Sequence, residues 1–356
     1  MAENVSGLAG GGAGGHNGSL PDPNTPTPAS CNNDESYKYV FLPVCYTYTC
    51  ILSLALNSVI ICGSLKRRKQ WNCSLIYMFN LALTDFMYGL SLPFLIASYV
   101  MRDVWVFGDF TCRLVRFLFY FNLYGSIFFL TCISFHRYLG ICHPMRTITM
   151  ETKKTVRGLC VLVWLLVLAL TCPIFHFAKT GDFDNRTNCW DDALDTEYPH
   201  YVPYGILLHL VGFFLPFSII AWCYSRVIRT IFKTISGRRE FESAVPGLEK
   251  RRKSIKTIVT ITLLFALCFF PFHVTKTIFL IHKAIPDVAC ATKRVVTICY
   301  KVTRPLASFN AWLNALLYFL TRDKWPQNCL KPKTNTEDSK SSWNIFKPFT
   351  HLTSPA

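Results

Sequence analysis

Apolar residues gather along this chain into seven long runs: Leu42–Leu65, Ser74–Met101, Cys112–Ile141, Val156–Phe177, Val202–Val227, Lys256–Ile281 and Val295–Leu320. About 20 apolar residues cross a bilayer as a helix, so every run is long enough to span one. Lipid offers nothing to an exposed backbone N–H or C=O, which makes each span helical. The pattern predicts an all-α membrane protein, a seven-transmembrane helix bundle over residues 42–320. Residues 1–41, rich in Gly, Pro and Asn, precede it, and a Ser/Thr/Lys-rich tail over 321–356 is expected to be largely disordered. Prolines at 93, 173, 216, 271 and 305 fall inside the runs and predict kinks. The first forty residues hold no apolar stretch of signal-peptide type, so the first span is expected to act as an uncleaved signal anchor.

Charge gives the bundle a direction. The segment after the first run reads KRRK (66–69), and Arg146, Lys153, Lys154 and Arg157 follow the third. Ten basic residues lie from Arg226 to Lys256. The opposite side holds only Lys38, Arg102, Lys179, Arg186, Lys283, Lys293 and Arg294. Basic loops stay in the cytoplasm, which predicts an extracellular N-terminus and a cytoplasmic C-terminus. Most of the net charge of +16 is then a cytoplasmic rim, a partner for anionic membrane lipid and not for nucleic acid. The chain is 51% hydrophobic and 16% charged, where soluble domains carry about 25% charged residues. Sequons at Asn4, Asn17 and Asn185 fall outside and are expected glycan sites; Asn72 falls inside and is not.

Of the 16 cysteines, twelve lie in spans, at their cytoplasmic ends or in the tail, where they act as small hydrophobes. One of these, Cys329, sits near the inner membrane face and is a candidate for palmitoylation. Four are extracellular: Cys31, Cys112, Cys189 and Cys290. An even number on the oxidising side reads as two disulfides, and spacing alone leaves three pairings open. Cys112 with Cys189 would pin the second outer loop over the bundle mouth, and Cys31 with Cys290 would tie the N-terminal segment to the last outer loop. No Cys/His spacing suggests a metal, and no nucleophile–base constellation suggests an enzyme.

Several motifs resemble one family. NLALTD (80–85), SFHRYLGICHP (134–144), Trp164, FFLPF with Tyr224, CFFPFH (268–273) and NALLY (314–318) are similar to those of rhodopsin-like G-protein-coupled receptors. Within that class CRLVRFLFYFNLYGSIFFLTCIS, FPFHVTKTI and YKVTRPLASFN resemble the nucleotide receptors, the metabotropic purinoceptors, on the branch that includes receptors for uridine nucleotides. The chain departs from the wider class at His136, where most members have Asp, at Phe269, where many have Trp, and at Ala315, where the usual residue is Pro. The last predicts a weaker kink at the inner end of the seventh span.

The runs also carry charges that hydrocarbon penalises by about 2.5–3.5 kcal/mol each. Arg116 precedes Arg137 by 21 residues, about 32 Å along one helix, so one is near the outer face and the other near the inner. Arg116, Tyr120 and Tyr124 share a helix face, His273 and Lys276 share another, and Tyr300, Lys301 and Arg304 a third. Three helices therefore bring cations to a similar outer depth, which is tolerable if an anion joins them. A polyphosphate suits Arg, with its planar paired donors, and Lys, with its point charge. Tyr120, Tyr124 and His273 would then meet a nucleoside. Snorkelling to headgroups is the competing reading, above all for Lys301.

The resemblance implies more. Asp191 would pair with Arg304 or Lys276 while the site is empty. Asp85, Ser126, Asn310 and Asn314 resemble the class's allosteric sodium pocket, with an internal hydrogen-bond network around a protonated Asp85 as the alternative. Arg137 would hold the inactive state and turn toward Tyr224 on activation, Tyr318 belonging to the same network. The expected ligand is an extracellular nucleotide such as UTP, UDP or ATP, and the expected partner a heterotrimeric G protein docking near EKRRKSIK (249–256). Two alternatives stand beside this: the same fold sensing a dicarboxylate metabolite or anionic lipid, and an anion transporter.

Overall fold

The computed structural model describes residues 36–67, 71–143, 145, 152–183, 186–190, 193, 196–236, 248–285 and 289–321. Helices α1 (Lys38–Lys66), α2 (Cys73–Val100), α3 (Gly108–Cys142) and α4 (Lys153–Thr171) form the first four passages. Pro173 closes α4 and leads into a single turn, α5 (Ile174–Phe177). A hairpin of β1 (Thr180–Phe183) and β2 (Arg186–Cys189) follows, with Thr180 opposite Cys189. The hydrophobic pattern did not anticipate these strands, which are too short and polar to show a period. The fifth passage joins α6 (Tyr198–His209) to α7 (Leu215–Ser236), and the sixth joins α8 (Leu248–Leu264) to α9 (Phe270–Ala284). The seventh is α10 (Cys290–Ser308) and α11 (Asn310–Thr321), interrupted at Phe309.

Six of these passages are long and apolar enough to cross a membrane. The seventh is not so apolar because α10 carries Lys293, Arg294, Lys301 and Arg304. α3 is the central pillar, buried along most of its length from Cys112 to Tyr138. Polar side chains bolt its neighbours together: Trp164 Nε1 on α4 donates to Asn80 Oδ1 on α2 at 2.8 Å. Asn57 on α1 donates to the Ala311 carbonyl on α11 at 2.8 Å. Such bonds matter in lipid, where a polar group has no water to fall back on.

The prolines act in distinct ways. Pro216 and Pro271 each follow a π turn, Leu210–Phe214 and Phe265–Phe269, by two residues. A proline has no N–H for the carbonyl four residues back, at Gly212 and Leu267, and the wider i→i+5 turn absorbs the mismatch. Pro93 stays inside α2, and Pro305 lies four residues before the Phe309 interruption, whose N–H reaches the Pro305 carbonyl at 3.0 Å. α11 runs unbroken through Ala315. The interruption in the seventh passage therefore lies six residues before Ala315.

Candidate functional site

The hairpin is fastened across one end of the bundle. Asp109, in the first turn of α3, accepts from the Thr180 backbone N–H at 2.8 Å and hydroxyl at 3.1 Å. Arg113 bridges Asp109 and the Phe175 carbonyl, and the Trp105 N–H reaches the Thr187 carbonyl at 2.8 Å. Beyond the hairpin Lys179 pairs with Glu197, and that hydrogen bond holds the carboxyl below the usual carboxylate range. A disulfide joins Cys112 to Cys189, one of the pairings the cysteine count allows. Cys290 is also disulfide-bonded; Cys31, its expected partner, lies outside the described residues.

Beneath the hairpin is a cavity of about 810 Å³, bounded by α1, the α2–α3 turn, α3, β2, the end of α9 and α10. Arg116, Lys301 and Arg304 line it together with Tyr300. Arg116 is buried, and its Nη2 donates to the Cys189 carbonyl at 2.8 Å, so the disulfide also positions the carbonyl that orients this guanidinium. Arg304 is buried with its guanidinium 5.1 Å from the Phe119 ring centre. Lys301 is half-buried and faces the same space. Five more cations join the lining, Lys38, Arg102, Arg186, Lys283 and Lys293, against one acid, Asp103, among the described residues. All five belong to the sparse set of cations predicted for the outer side, and that scarcity was the signal in the sequence for a shared site.

The other members of the expected set lie deeper. Lys276, only 1% exposed, does not line the cavity but touches its wall: Nζ donates to the Tyr300 hydroxyl at 3.1 Å and lies 4.3 Å from that ring's centre. His273 is buried among rings, 4.1 Å from Phe213, 5.1 Å from His209 and 5.7 Å from Tyr124. Tyr120 stacks on Tyr124 at 6.3 Å. Tyr120, Tyr124 and His273 thus form a buried aromatic layer and do not line this cavity. Asp191 and the sequons Asn4, Asn17 and Asn185 lie outside the described residues, as does Cys329.

A second polar cluster sits mid-bundle. The Asp85 carboxylate accepts from Asn122 at 2.6 Å, Ser126 at 3.3 Å and Asn314 at 3.1 Å. Asn122 was missed in the sequence, although it precedes Ser126 by one turn and shares its face. Asn310 is buried nearby with neither side-chain atom hydrogen-bonded, and the Asn314 Oδ1 is likewise buried without a partner among the described residues. Further toward the other end, Tyr224 shares a 2.7 Å hydrogen bond with Ser134, one turn before the half-buried Arg137. Tyr318 is buried at that end of α11. His136, in place of the usual acid, packs on Tyr77 at 6.2 Å and meets Ser74 at 3.5 Å.

A seven-passage bundle with a disulfide-pinned hairpin over a cation-lined cavity describes a class of receptor, and residues 56–318 match the model of the 7 transmembrane receptor (rhodopsin family). The chain belongs to that family: it is a multi-pass plasma-membrane receptor and not an enzyme. It belongs further to the metabotropic purinoceptor branch. It is 42% identical over 303 residues to purinoceptor 3 of Meleagris gallopavo, covering 84% of this chain and 90% of that one. It is 40% identical to purinoceptor 2 of Rattus norvegicus (87% of this chain, 81% of the relative). Purinoceptor 6 of Rattus norvegicus is also 40% identical (87% and 93%). Membership of a receptor family removes the transporter alternative.

Proposed function

We propose that this receptor binds an extracellular nucleoside di- or triphosphate in the 810 Å³ cavity and signals through a heterotrimeric G protein. The observation that carries it is the lining itself: Arg116 and Arg304, nearly excluded from water, share one space with Lys301 and five further cations. Buried like charges are costly to hold together, and a polyanion offsets that cost. Relatives named as purinoceptors support a nucleotide over a dicarboxylate or lipid. The disulfide supports placing this end on the oxidising, extracellular side.

In this reading the two arginines give paired N–H donors to phosphate oxygens and Lys301 adds a point charge. Tyr300 lies between the cavity and Lys276, so a phosphate drawing on Lys276 pulls α9 toward α10. Tyr120, Tyr124 and His273 lie under that contact, at the level of the π turn before Pro271. Ligand that binds the drawn-together form more tightly shifts the population toward it and opens the opposite end for the G protein. The cluster around Asp85 fits a sodium ion: one carboxylate, the Ser126 hydroxyl and the unpartnered Oδ1 atoms of Asn310 and Asn314 form a hard-oxygen set. These residues would hold the ion in the inactive form.

The test is a calcium assay on cells expressing the receptor, against a panel of UTP, UDP, ATP, ADP and dicarboxylates. Arg116→Ala and Arg304→Ala, each removing a charge-assisted contact worth about 1.5–3 kcal/mol, are expected to lower nucleotide potency at least tenfold at equal surface expression. Unchanged potency in both defeats the assignment.

A further inference from the structure

The one acid among the described lining residues is not left to repel an incoming anion. Asp103 Oδ2 takes the ammonium of Lys38 at 2.5 Å and the hydroxyl of Tyr39 at 3.0 Å. Both partners lie in the first turn of α1, so the pair ties the start of that helix across the cavity edge to the α2–α3 turn. The turn is built to present the carboxylate. Arg102 and Asp103 both adopt left-handed backbone, with φ of 56° and 66°, which L-residues take up only when their surroundings compel it. Here the compulsion is a capped helix end: the Met101, Arg102 and Asp103 N–H groups return to the carbonyls of Ala97, Tyr99 and Ser98 at 2.9, 3.1 and 2.9 Å. The ion pair is shielded on one side, the Lys38 side chain being 12% and the Asp103 side chain 27% exposed.

Resting on the polyanion reading above, we propose that Lys38–Asp103 is a competitive latch: Asp103 occupies Lys38 until a phosphate of the ligand takes its place. Asp103 then sets a threshold for entry. A ligand with too few negative oxygens does not displace the carboxylate, and one that does so releases the start of α1 from the α2–α3 turn. Lys38 is a ligand-contacting residue in the bound form, and Asp103 acts through it.

The experiment compares wild type, Lys38→Ala, Asp103→Asn and the double variant in the same calcium assay, normalised to surface expression. Asp103→Asn keeps the shape and the Tyr39 bond but removes the competitor, and is expected to raise nucleotide potency about three- to tenfold. Lys38→Ala is expected to lower it by a similar factor. In the Lys38→Ala background the gain from Asp103→Asn should vanish, because there is no ammonium left to compete for. A gain that persists undiminished in that background overturns the latch in favour of a general field effect. No gain in the single variant overturns it outright. If Asp103→Asn fails to reach the surface, Tyr39→Phe decides, since it loosens the carboxylate without altering charge: a gain supports the latch and none rejects it.

A second arm measures binding of inorganic tripolyphosphate to the purified receptor and its variants, which needs no nucleoside recognition. Wild type that binds tripolyphosphate yet responds to no nucleotide rejects the nucleotide reading, while the latch is still judged by whether Asp103→Asn tightens that binding. Wild type that neither binds tripolyphosphate nor responds to nucleotides rejects both.

Discussion

Gly212 shows how a single residue sets the packing of the deep layer. A Cβ there would lie 2.5 Å from two carbons of the Tyr124 ring. The absent side chain is thus the space into which Tyr124 fits, within the π turn before Pro216. Tyr124 is in turn stacked between Tyr120 and His273, so the ring cannot swing away at low cost. Gly212→Ala is expected to destabilise the receptor by about 1–3 kcal/mol through overpacking, seen as a lower thermal midpoint in detergent. Combining it with Tyr124→Leu should cost less than the two single changes summed, since the clash and its cause go together. Additive losses would show that the two positions do not meet.

At the level of elements, the seventh passage departs from the class in a way the structure accounts for. Its interruption at Phe309 follows Pro305, and α11 continues through Ala315. The carbonyl that a proline at 315 would strand belongs to Ala311, and it already accepts from the Asn57 amide at 2.8 Å. Ala315→Pro is therefore expected to leave surface expression near that of wild type while changing coupling efficacy, read as maximal calcium response per receptor. Loss of expression would mean that Asn57 does not compensate. Much at this scale was legible in the sequence. Apolar run length placed the helices, because bilayer thickness and backbone satisfaction leave helix as the form a span takes; the polar turns that carry the fifth passage on to Ser236 and start the sixth at Leu248 lay outside the runs. The hairpin was not legible, since its order comes from Asp109, Arg113 and Trp105 on distant segments.

Across the whole molecule, the proposed polyanion cavity and the proposed sodium site at Asp85 lie in one bundle. If sodium at Asp85 favours the inactive form, linkage requires that sodium weaken agonist binding. Replacing sodium with N-methylglucamine in a binding assay is expected to raise agonist affinity in wild type and to leave Asp85→Asn unchanged. A wild-type receptor indifferent to sodium removes the ion from the mechanism and leaves the cluster as a hydrogen-bond network.

The chain's own order of residues determined the seven apolar runs, the proline positions and the placing of Arg116, Lys276 and Arg304 on three separate runs. These follow from hydrophobic length and helical spacing, which are properties of neighbours in sequence. Only the tertiary structure decided that Arg116, Lys301 and Arg304 share a cavity, while Lys276 stands behind Tyr300 and His273 is sealed among rings. It alone paired Asp103 with Lys38 and Asn122 with Asp85. The reason is rotational: a helix period says which residues share a face, but the direction of that face is set by π turns, prolines and the partners packed against it.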